Sequence, residues 1–365
     1  MSNGGERLHA LDGLRALAVG LVFMHHTVTG NIAGQALTRH PFAQQAVGSI
    51  GSAGVELFYC LSGVVLLRRY LRAGAEFSLT DYAQRRFVRL YPPFVVAWLF
   101  AGLVIWLINA NPTWWTATSM LPRFGWASFL QEAVLGVGSR TTYNWAWWSL
   151  APEIVFYAAV PLILFGLRRC RDIDRAVAIL LLAGTAFSLS CFMLAPKAGH
   201  QQTFWMFGQY LVCFCVGTFL ARRSLTRLER GISLVAGTGI LLLAFANPRI
   251  NLHVGYALLF MPLVDACLHG STAASRFFGR HGFVWLGERS YSLFLTHYSV
   301  ITLSCLAASA MLHRGAAYVL ASRFIALPAS ILVACALFTW VERRFAHGLT
   351  TAGRTPARAS ESMAI

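Results

Sequence analysis

An arginine and a histidine stand within the first apolar segment, where hydrocarbon would surround them. The segment reads LDGLRALAVGLVFMHH and contains Asp12, Arg15, His25 and His26. Eleven positions separate Arg15 from His26, so on a helix both lie on one face, about 16 Å apart along the axis. His25 points about 100° away from His26. Ionisable groups inside a membrane are costly and by default functional, whereas the alternative is a snorkelling arginine with an interfacial histidine. One polar stripe along one face favours the functional interpretation, with His26 at its end.

Carboxylates and a cluster of arginines follow in the next apolar segments. Glu56 interrupts the second segment, GSAGVELFYCLSGVVLL, and needs a cation or a proton at this depth; Arg15 or a histidine of the first segment is the expected neighbour. Glu153 lies about one turn inside the fourth segment, WSLAPEIVFYAAVPLIL. The third opens with RRFVRLYPP, where a helix would group three guanidiniums suited to bidentate phosphate binding: Arg85, Arg86 and Arg89. Anchoring by positive charge at the cytoplasmic surface explains these arginines equally well.

The ninth apolar segment, LGERSYSLFLTHYSVI, holds two further polar candidates, Tyr291 and His297. A lone histidine in such a segment is more often a packing residue than a catalyst. His25 and His26 share the first segment, but no carboxylate stands at ligand spacing from them. They therefore do not resemble a zinc site, and we expect no metal. A buried histidine with a carboxylate nearby is a general-base arrangement, in which the imidazole takes a proton from a hydroxyl. Together with the arginine cluster, it favours transfer of a group from a phosphorylated donor.

The elements that must position these side chains are membrane helices. Of 365 residues, 57% are hydrophobic and 12% are charged, and the mean hydropathy is +0.58, whereas soluble domains have about a quarter of their residues charged. A helix needs about 20 apolar residues to cross the hydrocarbon core. We therefore predict an all-α polytopic bundle of about ten transmembrane helices, at roughly 10–29, 49–67, 90–109, 146–167, 176–194, 203–221, 231–247, 252–268, 283–308 and 316–340.

The positive charge predicts topology. The net charge is +16, which raises nucleic-acid binding as an alternative, but the arginines cluster between apolar segments. Their alternation places the N- and C-termini in the cytoplasm. We predict one transmembrane domain over residues 1–349 and a short, disordered cytoplasmic tail over 350–365. The first segment lacks the features of a cleaved signal peptide, and the sequence has no internal repeat of the kind found in many transporters.

These segments, in order, resemble the blocks of the acyltransferase-3 family of integral membrane O-acyltransferases. The first is similar to the family's Arg-x10-His segment, which falls on Arg15 and His26, and GVELFYCLSGVVLL resembles a Gly-Val-Asp block with Glu56 in place of Asp. RRFVRLYP, WSLAPEIVFY, LGERSYSLFLTHYSVI and WVERRF look like later blocks. Many members have a second acidic residue where this chain has Ile154, which argues against a paired-carboxylate role for Glu153.

The resemblance implies an enzyme of the bacterial cytoplasmic (inner) membrane that takes an acyl group, most commonly acetyl, from acyl-CoA. The acceptor would be a hydroxyl of a glycan or another sugar-containing molecule, and no bound cofactor or nucleic acid is expected. His26 would act as general base or be transiently acylated. The candidate catalytic residues are His26, Arg15, Glu153 and Glu56, and the candidate donor- and substrate-binding residues are Arg85, Arg86, Arg89, Tyr291 and His297.

Two alternatives stay open at this point. Some family members carry a C-terminal hydrolase-like domain outside the cytoplasm, and this chain stops soon after its tenth segment. The chain would then act alone or with a separate extracytoplasmic partner. The rival function is a proton-coupled transporter or exporter, in which the same histidines and carboxylates form a proton relay.

Overall fold

The chain is built from helices. The computed structural model describes residues 9–29, 41–72, 74–111, 113, 123–134, 143–194, 203–247, 250–269, 271–312 and 316–345, and these ranges contain no strand. The helices are α1 (His9–Thr29), α2 (Pro41–Leu71), α3 (Leu79–Ala110), α4 (Trp126–Glu132), α5 (Leu150–Arg169), α6 (Ile173–Leu194), α7 (Thr203–Arg222), α8 (Arg227–Ala246), α9 (Leu252–Leu268), α10 (Ala273–Phe278), α11 (His281–Glu288), α12 (Ser290–Met311) and α13 (Ala316–Leu337). A short 3-10 turn precedes α5, and a π-helical turn, Phe338–Glu342, follows α13. The predicted all-α class is confirmed.

Seven of the described helices are long and apolar enough to cross a membrane: α2, α3, α5 with its preceding turn, α6, α8, α12, and α13 with its π-helical turn. Two shorter apolar stretches lie in α7 and α9, at Phe207–Arg222 and Leu252–Leu268. The chain is therefore a multi-pass membrane protein. A helix is found at each of the ten predicted segments, but the count of ten crossings and the side of each terminus stay predictions. The predicted tail, residues 350–365, and residues 112, 114–122 and 135–142 of the connection between α3 and α5 lie outside the described residues.

The predicted ninth segment, 283–308, is two helices. α11 ends at Glu288 and α12 begins at Ser290, with the backbone of Arg289 between them at φ −96° and ψ 2°. The Arg289 guanidinium caps the end of α11 by donating to the carbonyl oxygen of Trp285 at 2.7 Å. Because the break occupies a single residue, averaged hydropathy does not detect it.

Burial separates central helices from peripheral ones. In α2 and α12, 72% and 78% of the most apolar window is buried inside the protein, against 17% in α8 and 22% in α6 and α13. The peripheral helices expose large apolar side chains, among them Leu182, Val235 and Phe324. This distribution suits a bundle whose solvent is hydrocarbon, because apolar side chains can face outwards at no cost there. α1 packs against both central helices and against α11.

Small residues allow α2 and α7 to pack closely. α2 and α7 cross where Gly63 meets Gly217, and a Cβ atom on Gly217 would overlap the carbonyl oxygen of Cys60. Such small-residue contacts replace the hydrophobic driving force that is missing between helices in lipid. The crossing fixes α2, the helix that carries Glu56, against the rest of the bundle.

The arginine-rich connections meet at one end of the bundle. Arg222 at the end of α7 pairs with Asp174 at the start of α6, at 2.7 Å, and donates to the carbonyl oxygen of Leu71 at 2.9 Å. Arg168 at the end of α5 donates to Ala75 in the α2–α3 connection at 2.7 Å. Three connections that were predicted to share one side of the membrane therefore share one end of the protein.

Candidate active site

Two cavities follow each other along the α1–α2 interface. The helices are antiparallel, since Gly51 of α2 lies against His25 while Gly54, one turn later, lies against Ala18. The first cavity includes Arg15; we call it the arginine chamber. The second includes His26; we call it the histidine chamber. The polar stripe predicted on α1 thus opens into two spaces, one near each end.

Charged and hydroxyl groups from five helices line the arginine chamber. They are Arg15 on α1, Ser62 on α2, Arg86 and Arg89 on α3, Glu153 and Tyr157 on α5, and Ser290 and Tyr291 on α12. Tyr59 and Ser149 also line this chamber. Five of the residues singled out from the sequence therefore meet here: Arg15, Arg86, Arg89, Glu153 and Tyr291.

Arg15 makes its ion pair within its own helix. Its Nη1 donates to Oδ1 of Asp12 at 2.9 Å, and the two side chains are 18% and 10% exposed. An arginine has five N–H donors in a planar fork, so this contact leaves donors for a ligand in the chamber. The carboxylate that Arg15 contacts is therefore Asp12, one turn before it on the same helix.

A chain of contacts through Glu153 joins three helices: α2, α3 and α5. Its Oε1 accepts from Oγ of Ser62 at 3.0 Å and also from the hydroxyl of Tyr157. The guanidinium of Arg86 lies 5.9 Å from the centre of the Tyr157 ring. Glu153 therefore connects α5 to α2 and, through the tyrosine, to the arginines of α3.

Arg85 differs from its two neighbours, because it lies outside the lining of the chamber. Its Nη2 reaches the hydroxyl of Tyr70 at 3.5 Å. Tyr291 donates to the carbonyl oxygen of Leu90 at 2.9 Å and so fastens α12 to α3 where Arg89 enters the chamber. Of the three arginines grouped by the sequence, the structure brings Arg86 and Arg89 together with Arg15.

Sequence reasoning missed Glu342, the last residue of the π-helical turn. Its Oε2 accepts from Oγ of Ser292 at 2.7 Å, and its carboxylate lies close enough to Arg89 and Arg15 to interact electrostatically. π-turns are rare and are frequent at functional sites. The sequence does carry a signal for this residue, since WVERRF places an acidic residue at the end of the last apolar segment.

His25 and His26 both line the histidine chamber, with Ser52, Trp148 and the backbone of Gly51. Nδ1 of His25 lies 2.8 Å from the carbonyl oxygen of Val47, so it carries the hydrogen of that bond. His26 is 8% exposed. The helical phase separated the two histidines, but the chamber accommodates both.

His297 lies next to His26. Their ring centres are 5.2 Å apart, and the ring of Tyr298 meets His26 edge-on at 5.5 Å. Nδ1 of His297 donates to the carbonyl oxygen of Phe294 at 2.8 Å, whereas its buried Nε2 has no hydrogen-bond partner within the described chain. His297 therefore presents an unused nitrogen in the wall behind His26.

The expected partner of Glu56 was wrong. Its Oε1 lies 2.6 Å from Nδ1 of His253 on α9, and Oγ of Ser52 donates to the same oxygen at 3.4 Å. Helical phase gives the reason: Gly51 and Gly54 face α1, and Glu56 is about 140–200° away from them, towards α9. His253 was missed, although NLHVGY at the start of the eighth apolar segment offered the same signal that singled out His297.

Comparisons with known proteins agree with the family resemblance noted in the sequence. Residues 8–341 match the family model described as an acyltransferase domain. Acyltransferase MdmB of Streptomyces mycarofaciens is 29% identical over 332 residues, which cover 81% of this chain and 79% of that protein. "Putative O-acetyltransferase SACOL0978" of Staphylococcus aureus (strain COL) is 24% identical over 332 residues, 80% of this chain and 50% of that protein. The chain therefore spans half the length of the staphylococcal relative. No solved structure gives a significant match.

Proposed function

This chain belongs to the acyltransferase-3 family, and from that premise we propose that it moves an acyl group from acyl-CoA to a hydroxyl of a sugar-containing acceptor. Membership makes it an acyltransferase that transfers groups other than aminoacyl groups. The donor, the acceptor and the residues that act on them are our proposal. The observation that carries it is the succession of an arginine chamber and a histidine chamber along α1 and α2.

The arginine chamber suits the phosphates of CoA. Arg15, Arg86 and Arg89 supply planar guanidiniums that can bind phosphate bidentately. The thioester of CoA stands at the far end of a long flexible arm from its phosphates. A donor bound by its phosphates among the arginines would thus extend the acyl group towards His26, about 16 Å along α1 from Arg15.

His26 would act on the acceptor hydroxyl. As general base it takes the hydroxyl proton while the oxygen attacks the thioester carbonyl. The tetrahedral intermediate collapses, the carbon–sulfur bond breaks, and His26 returns the proton to the leaving thiolate, giving an ester and free CoA thiol. In the alternative path an imidazole nitrogen of His26 attacks the thioester carbonyl, and the carbon–sulfur bond breaks to release CoA thiol. The acceptor hydroxyl then attacks the acyl-imidazole, and cleavage of the carbon–nitrogen bond gives the ester and restores His26. The aromatic face of Trp148 beside the histidines supports a sugar ring as the acceptor.

Location and direction follow from the same proposal. The arginine chamber lies towards the end of the bundle where the arginine-rich connections meet, which we propose is the cytoplasmic side of a bacterial cytoplasmic membrane. Acyl-CoA would enter there. The histidine chamber lies towards the opposite end of α1, so the acceptor would be modified near the extracytoplasmic side. A separate extracytoplasmic protein that receives or presents the acceptor fits this arrangement.

The buried Glu56–His253 pair favours a second function, a proton-coupled transporter. Intramembrane carboxylate and histidine pairs are the usual components of proton relays. The two functions differ in covalent chemistry, because transport breaks no thioester bond. Release of CoA thiol that depends on an added acceptor, with incorporation of the acyl group into that acceptor, would exclude simple transport.

The test uses purified protein in proteoliposomes with radiolabelled acetyl-CoA and, as probes, a lipid-linked disaccharide and a macrolide. We expect label in one acceptor and equimolar CoA thiol. His26→Ala should lower the transfer rate by about 10²–10⁴-fold, the usual contribution of a general base, while CoA binding measured by calorimetry stays unchanged. His269→Ala is the matched control, since His269 bonds Ser224 at the arginine-rich end. Normal transfer by His26→Ala would overturn both roles of His26.

A further inference from the structure

His297 on α12 is held so that one of its two ring nitrogens is bonded and the other is not. The side chain is 0% exposed. Nδ1 lies 2.8 Å from the carbonyl oxygen of Phe294 and 3.1 Å from that of Leu293. Because carbonyl oxygens only accept, Nδ1 carries the hydrogen, and Nε2 of the neutral ring has a free lone pair. Nε2 is buried and makes no hydrogen bond within the described ranges, although burying an acceptor without a donor costs free energy.

The polar ring next to this nitrogen belongs to His26. The ring centres of His26 and His297 are 5.2 Å apart, whereas two apolar rings that also contact His297, Phe23 and Phe294, lie 6.2 and 6.1 Å away. Two imidazoles joined by an N–H···N hydrogen bond have ring centres about 5 Å apart, because each nitrogen is about 1 Å from its ring centre and the nitrogens are about 3 Å apart. The observed separation therefore equals that of a hydrogen-bonded pair once a nitrogen of His26 faces Nε2.

A catalytic histidine also needs a group that orients it. That group holds one ring nitrogen as N–H, so that the other nitrogen is the base, and it stabilises the imidazolium that forms. A carboxylate often has this role, but in the part of the chain that the structure describes none pairs with His26. Glu56 of the neighbouring helix is held by His253 at 2.6 Å. The free lone pair of His297 is placed to act instead.

We propose that His297 is a positioning residue that fixes the tautomer of His26, by accepting a hydrogen bond at Nε2 from one ring nitrogen of His26. The inference rests on the proposed function, since it concerns how His26 acts as a base. The proton of the substrate hydroxyl moves to the other nitrogen of His26 and leaves it with the CoA thiolate, so His297 neither gains nor loses a proton. This role differs from the donor or substrate binding that the sequence predicted for His297.

Two amide substitutions separate this role from a structural one. His297→Gln places an amide oxygen at about the reach of Nε2, so it keeps a group that accepts from His26 and loses the donor to Phe294. His297→Asn places an amide N–H at about the reach of Nδ1, so it keeps the donor to Phe294 and loses the acceptor. The proposal requires His297→Gln to be the more active variant, whereas a purely structural role for the bond to Phe294 requires the opposite order.

The kinetic result should be a split between kcat and KM. The kcat of His297→Asn should fall by about 10²-fold, the lower end of what a general base contributes, and that of His297→Gln should stay within about 10-fold of wild type. KM for acetyl-CoA and for the sugar acceptor should stay within about threefold, because His297 lines neither chamber. The matched control is Ser304→Ala on the same helix, since its buried hydroxyl donates to Val300 within α12; its kcat should match wild type.

A second measurement reads the tautomer without catalysis. The ¹⁵N chemical shifts of histidine-labelled protein in proteoliposomes, with the His26 signals assigned by their loss in His26→Gln, distinguish the two neutral tautomers. We expect one tautomer of His26 in wild type and in His297→Gln, and a mixture of both in His297→Asn. CoA affinity measured by calorimetry shows that each variant is folded.

A mixture of His26 tautomers in the wild-type protein overturns the proposal, as does an unchanged single tautomer in His297→Asn. A kcat that is higher in His297→Asn than in His297→Gln also overturns it. In these cases the proposed function survives, because acyl transfer is still observed. Absence of transfer from acetyl-CoA to any sugar acceptor overturns the proposed function instead, and the tautomer of His26 is still read in that case.

Discussion

Removing one partner of the buried Glu56–His253 pair should strongly destabilise the protein. The two side chains are 0% and 13% exposed, and Nδ1 of His253 lies 2.6 Å from Oε1 of Glu56. Breaking a buried pair by removing one partner costs about 3–5 kcal/mol, because the remaining polar group stays buried without compensation. Glu56→Leu and His253→Leu should each lower the free energy of unfolding by that amount. The double variant should cost less than the sum of the two, with a coupling energy of about 2 kcal/mol.

The assay is denaturant unfolding in detergent, with CoA binding before and after refolding to confirm reversibility. Glu229→Gln is the matched control. It removes the charge of an exposed pair, in which Arg223 is 36% and Glu229 39% exposed, while a glutamine can still accept the hydrogen bond from Thr226 in the capping box of α8. Exposed pairs contribute about 0–1 kcal/mol, so this variant should remain close to wild type. Single variants of Glu56 and His253 that unfold like Glu229→Gln, or that add without coupling, would refute the pairing on which the reassignment of Glu56 depends.

Two further predictions each compare two residues of the same type that have different surroundings in the structure. Arg86→Gln should weaken CoA binding by about 10-fold or more, because hydrogen bonds to charged groups are worth about 1.5–3 kcal/mol. Arg85 lies outside the chamber, so Arg85→Gln should change the CoA affinity measured by calorimetry by less than about twofold. Equal losses of affinity in the two variants would contradict the placing of the donor phosphates in the arginine chamber. Gly217→Ala should lower the free energy of unfolding by about 1–3 kcal/mol through backbone overlap with α2. Gly239→Ala, where a Cβ meets open space, should be neutral or stabilising by up to about 1 kcal/mol; similar denaturation curves for both alanine variants would show that α2 and α7 do not meet there.

The helices were predictable from the sequence where the length of an apolar segment is enough to cross a membrane. Each of the ten predicted segments contains a helix, because backbone groups in lipid must be paired within the segment and a helix is the only open-chain solution. The exact boundaries were not. α2 and α3 extend beyond their apolar windows, and the break at Arg289 depends on a tertiary contact between α11 and α1, where a Cβ on Gly287 would overlap the carbonyl oxygen of Asp12.

The residues of the site were predictable by type and less so by partner. A charge in an apolar segment is visible in the sequence, so Arg15, His26 and Glu153 were found. Which neighbour each one meets depends on helix rotation, and that is set by small residues such as Gly54 packing against α1. Glu56 turns towards α9 for this reason. His253 was overlooked because it lies just after an asparagine N-cap at the start of its segment, a position that resembles an interface more than a core.

The separation of Arg15 from His26 determines how the two can act. About 16 Å along one helix exceeds the reach of either side chain, so Arg15 cannot orient or charge His26 directly. Within the described ranges His26 is surrounded by the rings of His25, His297 and Tyr298, and the nearby carboxylate of α2, Glu56, is held by His253. His26 is therefore positioned by aromatic packing. In the function proposed above, the arginines would hold the phosphate end of the donor, and proton transfer at His26 would take place about 16 Å away along α1, beyond the reach of Arg15.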